Sequence, residues 1–195
     1  MKKLFNILVI TLVLFFNTTI VNANQSFEEK KKEIIALYSS NNLEEAYKRI
    51  SAITEDERDY EIWFILGNLT QDFNNDVNAI FFLQKSVLLN PKFDKAHYNL
   101  GNIYLKDKKY NSAINSYKEA IKYNKTFPYS YYNMGCAYLG QKQYKDAKKA
   151  FEKAIKLKQE ANFYYNLAFA EKNLGNTKKA QEALDKYNKL KENEI

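Results

Sequence analysis

Apolar residues along most of the chain return at steps of three and four, the spacing of one face of an α-helix. Between residues 94 and 127 they fall into two runs. Leu100, Ile103 and Tyr104 mark the first; Tyr110, Ala113, Ile114, Tyr117, Ala120 and Ile121 mark the second. Lys106-Asp107-Lys108-Lys109 separates them as a polar break. Two amphipathic runs joined by a short polar turn predict a helical hairpin.

The hairpin recurs. Ala46, Ala79, Ala113, Ala147 and Ala180 are spaced by 33, 34, 34 and 33 residues, and Leu66, Leu100, Met134 and Leu167 by 34, 34 and 33. A true structural repeat must reproduce its packing contacts, so several columns sharing one period predict stacked hairpins. A third column holds Gly67, Gly101, Gly135 and Ala168. Glycine inside a helix costs about 1 kcal/mol relative to alanine, so its return needs a packing reason. The expected reason is close approach: on the first helix of each hairpin, a missing side chain lets the second helix cross tightly.

These residues carry a family resemblance. Trp63, Leu66, Gly67, Ala79, Leu83 and Pro91, then His97, Leu100, Gly101, Tyr104, Ala113, Tyr117 and Ala120, then Tyr131, Met134, Gly135, Tyr138, Ala147, Phe151 and Ala154 resemble the tetratricopeptide repeat. The resemblance covers about 24–195 and divides into 27–59, which is degenerate, 60–93, 94–127, 128–160 and 161–195. It implies an all-α fold, a right-handed superhelical α-solenoid of helical hairpins. Its ends depart from the pattern: the last unit has Ala168 for Gly and Glu171 for the usual Tyr, and its closing helix is polar, as a capping repeat requires.

The resemblance also implies a concave groove built from the first helix of each unit. Its fifth column reads Phe64, Tyr98, Tyr132 and Tyr165; its sixth has Asn99, Asn133 and Asn166 after Ile65; its ninth has Asn68 and Asn102, then Cys136 and Phe169. Tyrosine offers flat apolar area with a polar tip, and asparagine offers both a donor and an acceptor. The candidate peptide-binding set is therefore Phe64, Asn68, Tyr98, Asn99, Asn102, Tyr132, Asn133, Tyr165 and Asn166. The Asn column is similar to the asparagine ladder in the repeat domain of the O-linked N-acetylglucosamine transferase family, which grips peptide backbone; no transferase activity follows. The same Tyr and Asn residues also suit packing between hairpins, and both readings stand at this level. A carboxylate clamp would need lysine where Phe64 and Tyr98 stand, and is rejected.

The N-terminus follows another pattern. After Met1-Lys2-Lys3, Leu4 to Phe16 is a run of 13 mostly apolar residues, and Val21-Asn22-Ala23 fits a signal-peptidase site. The expectation is a secretory signal over 1–23 cleaved after Ala23, placing the protein in a periplasm or outside the cell; the alternative is an uncleaved N-terminal anchor. With one cysteine, Cys136, no internal disulfide can form, and packing must supply stability. The expected state of Cys136 is a half-buried helix residue, the alternative an intermolecular disulfide.

Charge and composition narrow the function. Formal net charge is +7, falling to +5 without Lys2 and Lys3, but export and a supply of only two arginines argue against nucleic acid. Acidic residues dominate 44–61 and lysines dominate 142–158; solvated outer helix faces account for most of this, and the alternative is weak head-to-tail self-association or docking on an anionic surface, which screening by salt would weaken. One histidine, His97, stands in the column of Trp63, Tyr131 and Tyr164 and is expected to pack. No catalytic, metal or cofactor constellation is present in the sequence. The expectation is a non-enzymatic protein-interaction scaffold or adaptor with a protein or peptide partner; the alternatives are a structural component of a cell-envelope assembly or a regulatory subunit of an envelope enzyme.

Overall fold

The computed structural model describes residues 26–193; the signal-sequence reading over 1–23 lies outside them. Among the described residues there are ten α-helices, one 3₁₀ turn and no strand. The chain divides into two compact units, Met1–Arg58 and Asp59–Ile195.

The first unit holds α1 (Phe27–Ser39), α2 (Leu43–Ser51) and the 3₁₀ turn Glu55–Glu57. A capping box starts α1: Glu29 N–H donates to Ser26 Oγ, and the Ser26 N–H donates to the Glu29 carboxylate at 2.9 Å. Ile34 on α1 and Ala46 and Ile50 on α2 are fully buried.

The second unit is a solenoid of four hairpins: α3 (Tyr60–Asp72) with α4 (Asp76–Leu89), α5 (Asp94–Lys106) with α6 (Tyr110–Tyr123), α7 (Pro128–Gly140) with α8 (Tyr144–Leu157), and α9 (Ala161–Asn173) with α10 (Thr177–Glu192). Each hairpin turn holds one residue in the left-handed region: Asn74, Lys108, Lys142 and Gly175, with φ of 57°, 58°, 59° and 80°. The residue after it returns an N–H five positions back, as Lys109 does to the Tyr104 carbonyl at 2.8 Å and Gln143 to Tyr138 at 2.9 Å. That bond satisfies a carbonyl orphaned by the helix end and reverses the chain.

The repeated columns form the core. Ala79, Ala113 and Ala147 are fully buried, each inside a cluster joining two hairpins. Ala79 and Leu83 of α4, for instance, pack with Ala96, Leu100 and Ile103 of α5. The glycine column is the crossing point within each hairpin. A Cβ on Gly67 would stand 2.8 Å from Leu83 Cγ, and one on Gly101 or Gly135 would stand 2.5 Å from Cε1 of Tyr117 or Phe151. The bulky residue four positions after each alanine thus occupies the space that glycine leaves open. In the last hairpin, where Ala168 replaces glycine, the column four after Ala180 holds Leu184, smaller than Tyr or Phe.

Two departures from the pattern find physical explanations. Glu171, standing in the column of Tyr104 and Tyr138, is buried and pairs with Lys148 Nζ of α8 at 2.8 Å while accepting from Asn176 Nδ2 at 2.6 Å. His97 is buried with its Nε2–H donating to the Pro91 carbonyl at 2.9 Å and its ring stacked on Tyr123 at 6.1 Å.

Candidate groove on the first helices

The candidate residues sit on α3, α5, α7 and α9, one helical turn of each hairpin, because the 33- to 34-residue period returns each column to the same place on the next helix. The structure brings them together in consecutive pairs, largely through one another. Asn99 Nδ2 donates to Asn68 Oδ1 at 2.6 Å. Asn133 Nδ2 donates to Asn102 Oδ1 at 2.9 Å and to the Tyr98 hydroxyl at 3.1 Å. Asn166 Nδ2 reaches the Tyr132 hydroxyl at 2.9 Å and Cys136 Sγ at 3.5 Å. Each of the three sixth-column asparagines therefore ties back to the ninth column of the hairpin before it, and in two cases to its tyrosine as well.

The tyrosines are similarly engaged. Tyr98 meets Phe127 edge-on at 5.1 Å and Tyr117 at 6.0 Å, and Tyr132 stacks on Phe163 at 4.5 Å. Burial pushes both hydroxyls above the ordinary tyrosine range, so they stay protonated at neutral pH. Tyr117, buried beside Tyr98, donates its own hydroxyl to Asn102 Oδ1 at 2.8 Å. Tyr165 packs on Tyr187 at 5.4 Å yet stays 52% exposed beside Phe169 at 48%, which leaves the C-terminal end of the face more open and aromatic.

Between α3 and α5 the face opens into a cavity of about 250 Å³ lined by Phe64, Asp94, Lys95, Tyr98, Asn99, Asn124 and Phe127. Its walls are aromatic: Phe64 lies edge-on to Phe93 at 5.0 Å, and Phe127 to Tyr98. Asn124 Nδ2 donates to Asp94 Oδ2 at 2.8 Å at its side, and Lys95 is exposed. Asp94, Lys95, Asn124 and Phe127 were not among the sequence candidates. Phe93 and Phe127 recur 34 residues apart just before helices α5 and α7, and that column was the available signal.

Cys136 is half-buried on α7. Burial pushes its thiol up to about 11, leaving little thiolate at neutral pH. Among the described residues no group of His, Cys, Asp and Glu gathers that could hold a metal ion, and no helix is long and apolar enough to cross a membrane.

Family comparisons agree with this geometry. A model described as "TPR repeat" matches residues 101–142, and models described as "Tetratricopeptide repeat" match 82–115, 128–160 and 161–194. The chain belongs to the tetratricopeptide-repeat family. Such a fold is a protein–protein interaction scaffold. No curated protein matches the chain. Among solved structures it is similar to MamA 41-end from Desulfovibrio magneticus RS-1, at 22% identity over 86% of this chain and 96% of that one, with a TM-score of 0.76. MamA AMB-1 is similar at 19% identity, covering 85% and 92%, with the same TM-score. Another crystal structure of MamA matches at 23% identity, covering 82% and 94%, with a TM-score of 0.75. At these identities the likeness is one of fold.

Proposed function

We propose that this chain is an exported, non-enzymatic adaptor that holds a segment of another polypeptide along the first-helix face, with one apolar side chain of that segment seated between Phe64, Tyr98 and Phe127. The cavity carries this reading. An aromatic-walled opening of about 250 Å³ has room for a leucine or phenylalanine side chain, and Asp94, Lys95 and Asn99 at its edge offer groups that can pair with peptide amides and charges. Because the asparagine ladder already binds hairpin to hairpin, its first role here is to fix the spacing of the groove. The aromatic pocket then supplies the affinity.

Lys95 lies exposed at the pocket, so Lys95→Trp can plug the opening without entering the core. Peptides selected from a displayed library against the chain, titrated by fluorescence anisotropy, are expected to lose at least about tenfold in affinity with Lys95→Trp while the melting temperature holds. Equal affinity for both proteins would refute the pocket. Export has its own test: N-terminal sequencing of the protein recovered outside the cytoplasm should begin at Asn24, and a first residue of Met1 would favour the anchored alternative.

A further inference from the structure

The outward face of α4 differs in kind from that of every other second helix. Val77, Phe81, Gln84 and Leu88 follow one another at steps of four, three and four along one face, and the three apolar members are 79%, 49% and 74% exposed. At the same repeat positions α6 carries Asn111, Asn115, Lys118 and Lys122, and α8 carries Lys145, Lys149, Glu152 and Lys156, all exposed. The four equivalent positions of α10 are all charged. The hairpin stack therefore does not need apolar residues there. Sibling helices, built on the same packing, solvate that face; α4 alone leaves it greasy. Single exposed apolar side chains are ordinary, but three on one face at 4-3-4 spacing, interrupted only by Gln84, follow the geometry by which one helix packs on another.

We infer that α4 is a self-association helix, pairing antiparallel with the α4 of a second copy across a twofold axis. The seam is self-complementary under that operation. With the axis crossing midway between residues 82 and 83, Val77 of one copy faces Leu88 of its partner, and Phe81 faces Gln84. The charges complement in the same way. Asp72, exposed, stands at the N-terminal end of the seam and Lys92, also exposed, just beyond its C-terminal end, both outside the apolar stripe, so antiparallel packing brings acidic end to basic end twice; Asp76 is already paired with Lys106 Nζ of α5 at 2.6 Å and takes no part. A parallel pair would set like against like. Asp72 at one end also disfavours an anionic lipid surface as the occupant, since it would face the headgroups.

This pairing is independent of the groove reading, because no groove candidate lies on α4. It leaves the face formed by α3, α5, α7 and α9 open in both copies, so a dimer would present two grooves at once and gain avidity for a partner with two segments or two copies.

Sedimentation equilibrium of the chain, purified from its producing cell, is expected to show a concentration-dependent monomer–dimer equilibrium. Leu88→Lys installs the residue type that α6 and α8 already tolerate at this position, so it should fold with an unchanged helical circular dichroism spectrum and raise the dissociation constant at least about tenfold. Asp72→Lys should weaken the dimer, and adding Lys92→Asp to the same chain should restore it. A monomer at every concentration, a dimer indifferent to Leu88→Lys, no restoration by the double reversal, or a monomer that co-floats with anionic vesicles through this seam would each overturn the assignment.

Discussion

At Gly101 two general preferences oppose each other. Replacing a mid-helix glycine with alanine ordinarily stabilises by about 1 kcal/mol. Here the new methyl would meet the Tyr117 ring at 2.5 Å, and that ring is fully buried with its hydroxyl bound to Asn102. Overpacking of this sort costs about 1–3 kcal/mol, so Gly101→Ala should lower the melting temperature by several degrees, and a rise would remove the crossing argument. Lys108 presents the reverse case. Held at φ 58°, it bears the left-handed penalty of about 1–2 kcal/mol that glycine avoids, so Lys108→Gly should raise the thermal midpoint; a fall would mean that the lysine side chain contributes more than its backbone costs. The glycine column was legible in the sequence because its spacing matched the alanines. The left-handed residues were not, since Lys108 read only as part of a polar break and Lys142 as part of a lysine-rich run, and chirality becomes visible only when the backbone bends.

Among the helices, the four-residue polar break at 106–109 coincides with the reversal between α5 and α6. What the pattern could not supply was the compensation for its own exceptions. Glu171 breaks the tyrosine column, and only the fold reveals Lys148 across the interface between α8 and α9 and Asn176 beyond the turn. Burial opposes ionisation of Glu171, but those two donors outweigh it and hold the carboxyl below its usual range. A carboxyl with a lowered folded-state pKa contributes stability above its unfolded value of about 4.3 and loses that contribution as the pH falls through the folded one. Glu171→Gln should therefore cost about 1–2 kcal/mol at pH 7, and the gap from the parent should close as the pH drops below about 4. A constant difference across that range, measured by urea denaturation, would assign the cost to packing and not to charge.

At the scale of the whole chain, the period announced the stack of hairpins and the columns that fall on their first helices. It did not announce how those columns divide their labour. The columns of Tyr and Asn looked alike from repeat to repeat, yet the asparagines and the half-buried tyrosines mostly bind neighbouring hairpins, and the cavity lies between Phe64, Tyr98 and Phe127. Repetition in a sequence records what every hairpin must do, which is to pack on the next one. The proposed recognition rests on the positions where hairpins differ: Phe64 in place of tyrosine, Asp94 and Asn124 paired beside one opening, the apolar seam of α4. The most direct measurement is site-specific photocrosslinking in the producing cell, with a photoreactive residue at Lys95 or Tyr165 on the first-helix face, or at Lys118 on the outer face of α6. Covalent adducts with another polypeptide from Lys95 and Tyr165 but not from Lys118 are expected; adducts from Lys118 alone would contradict the account.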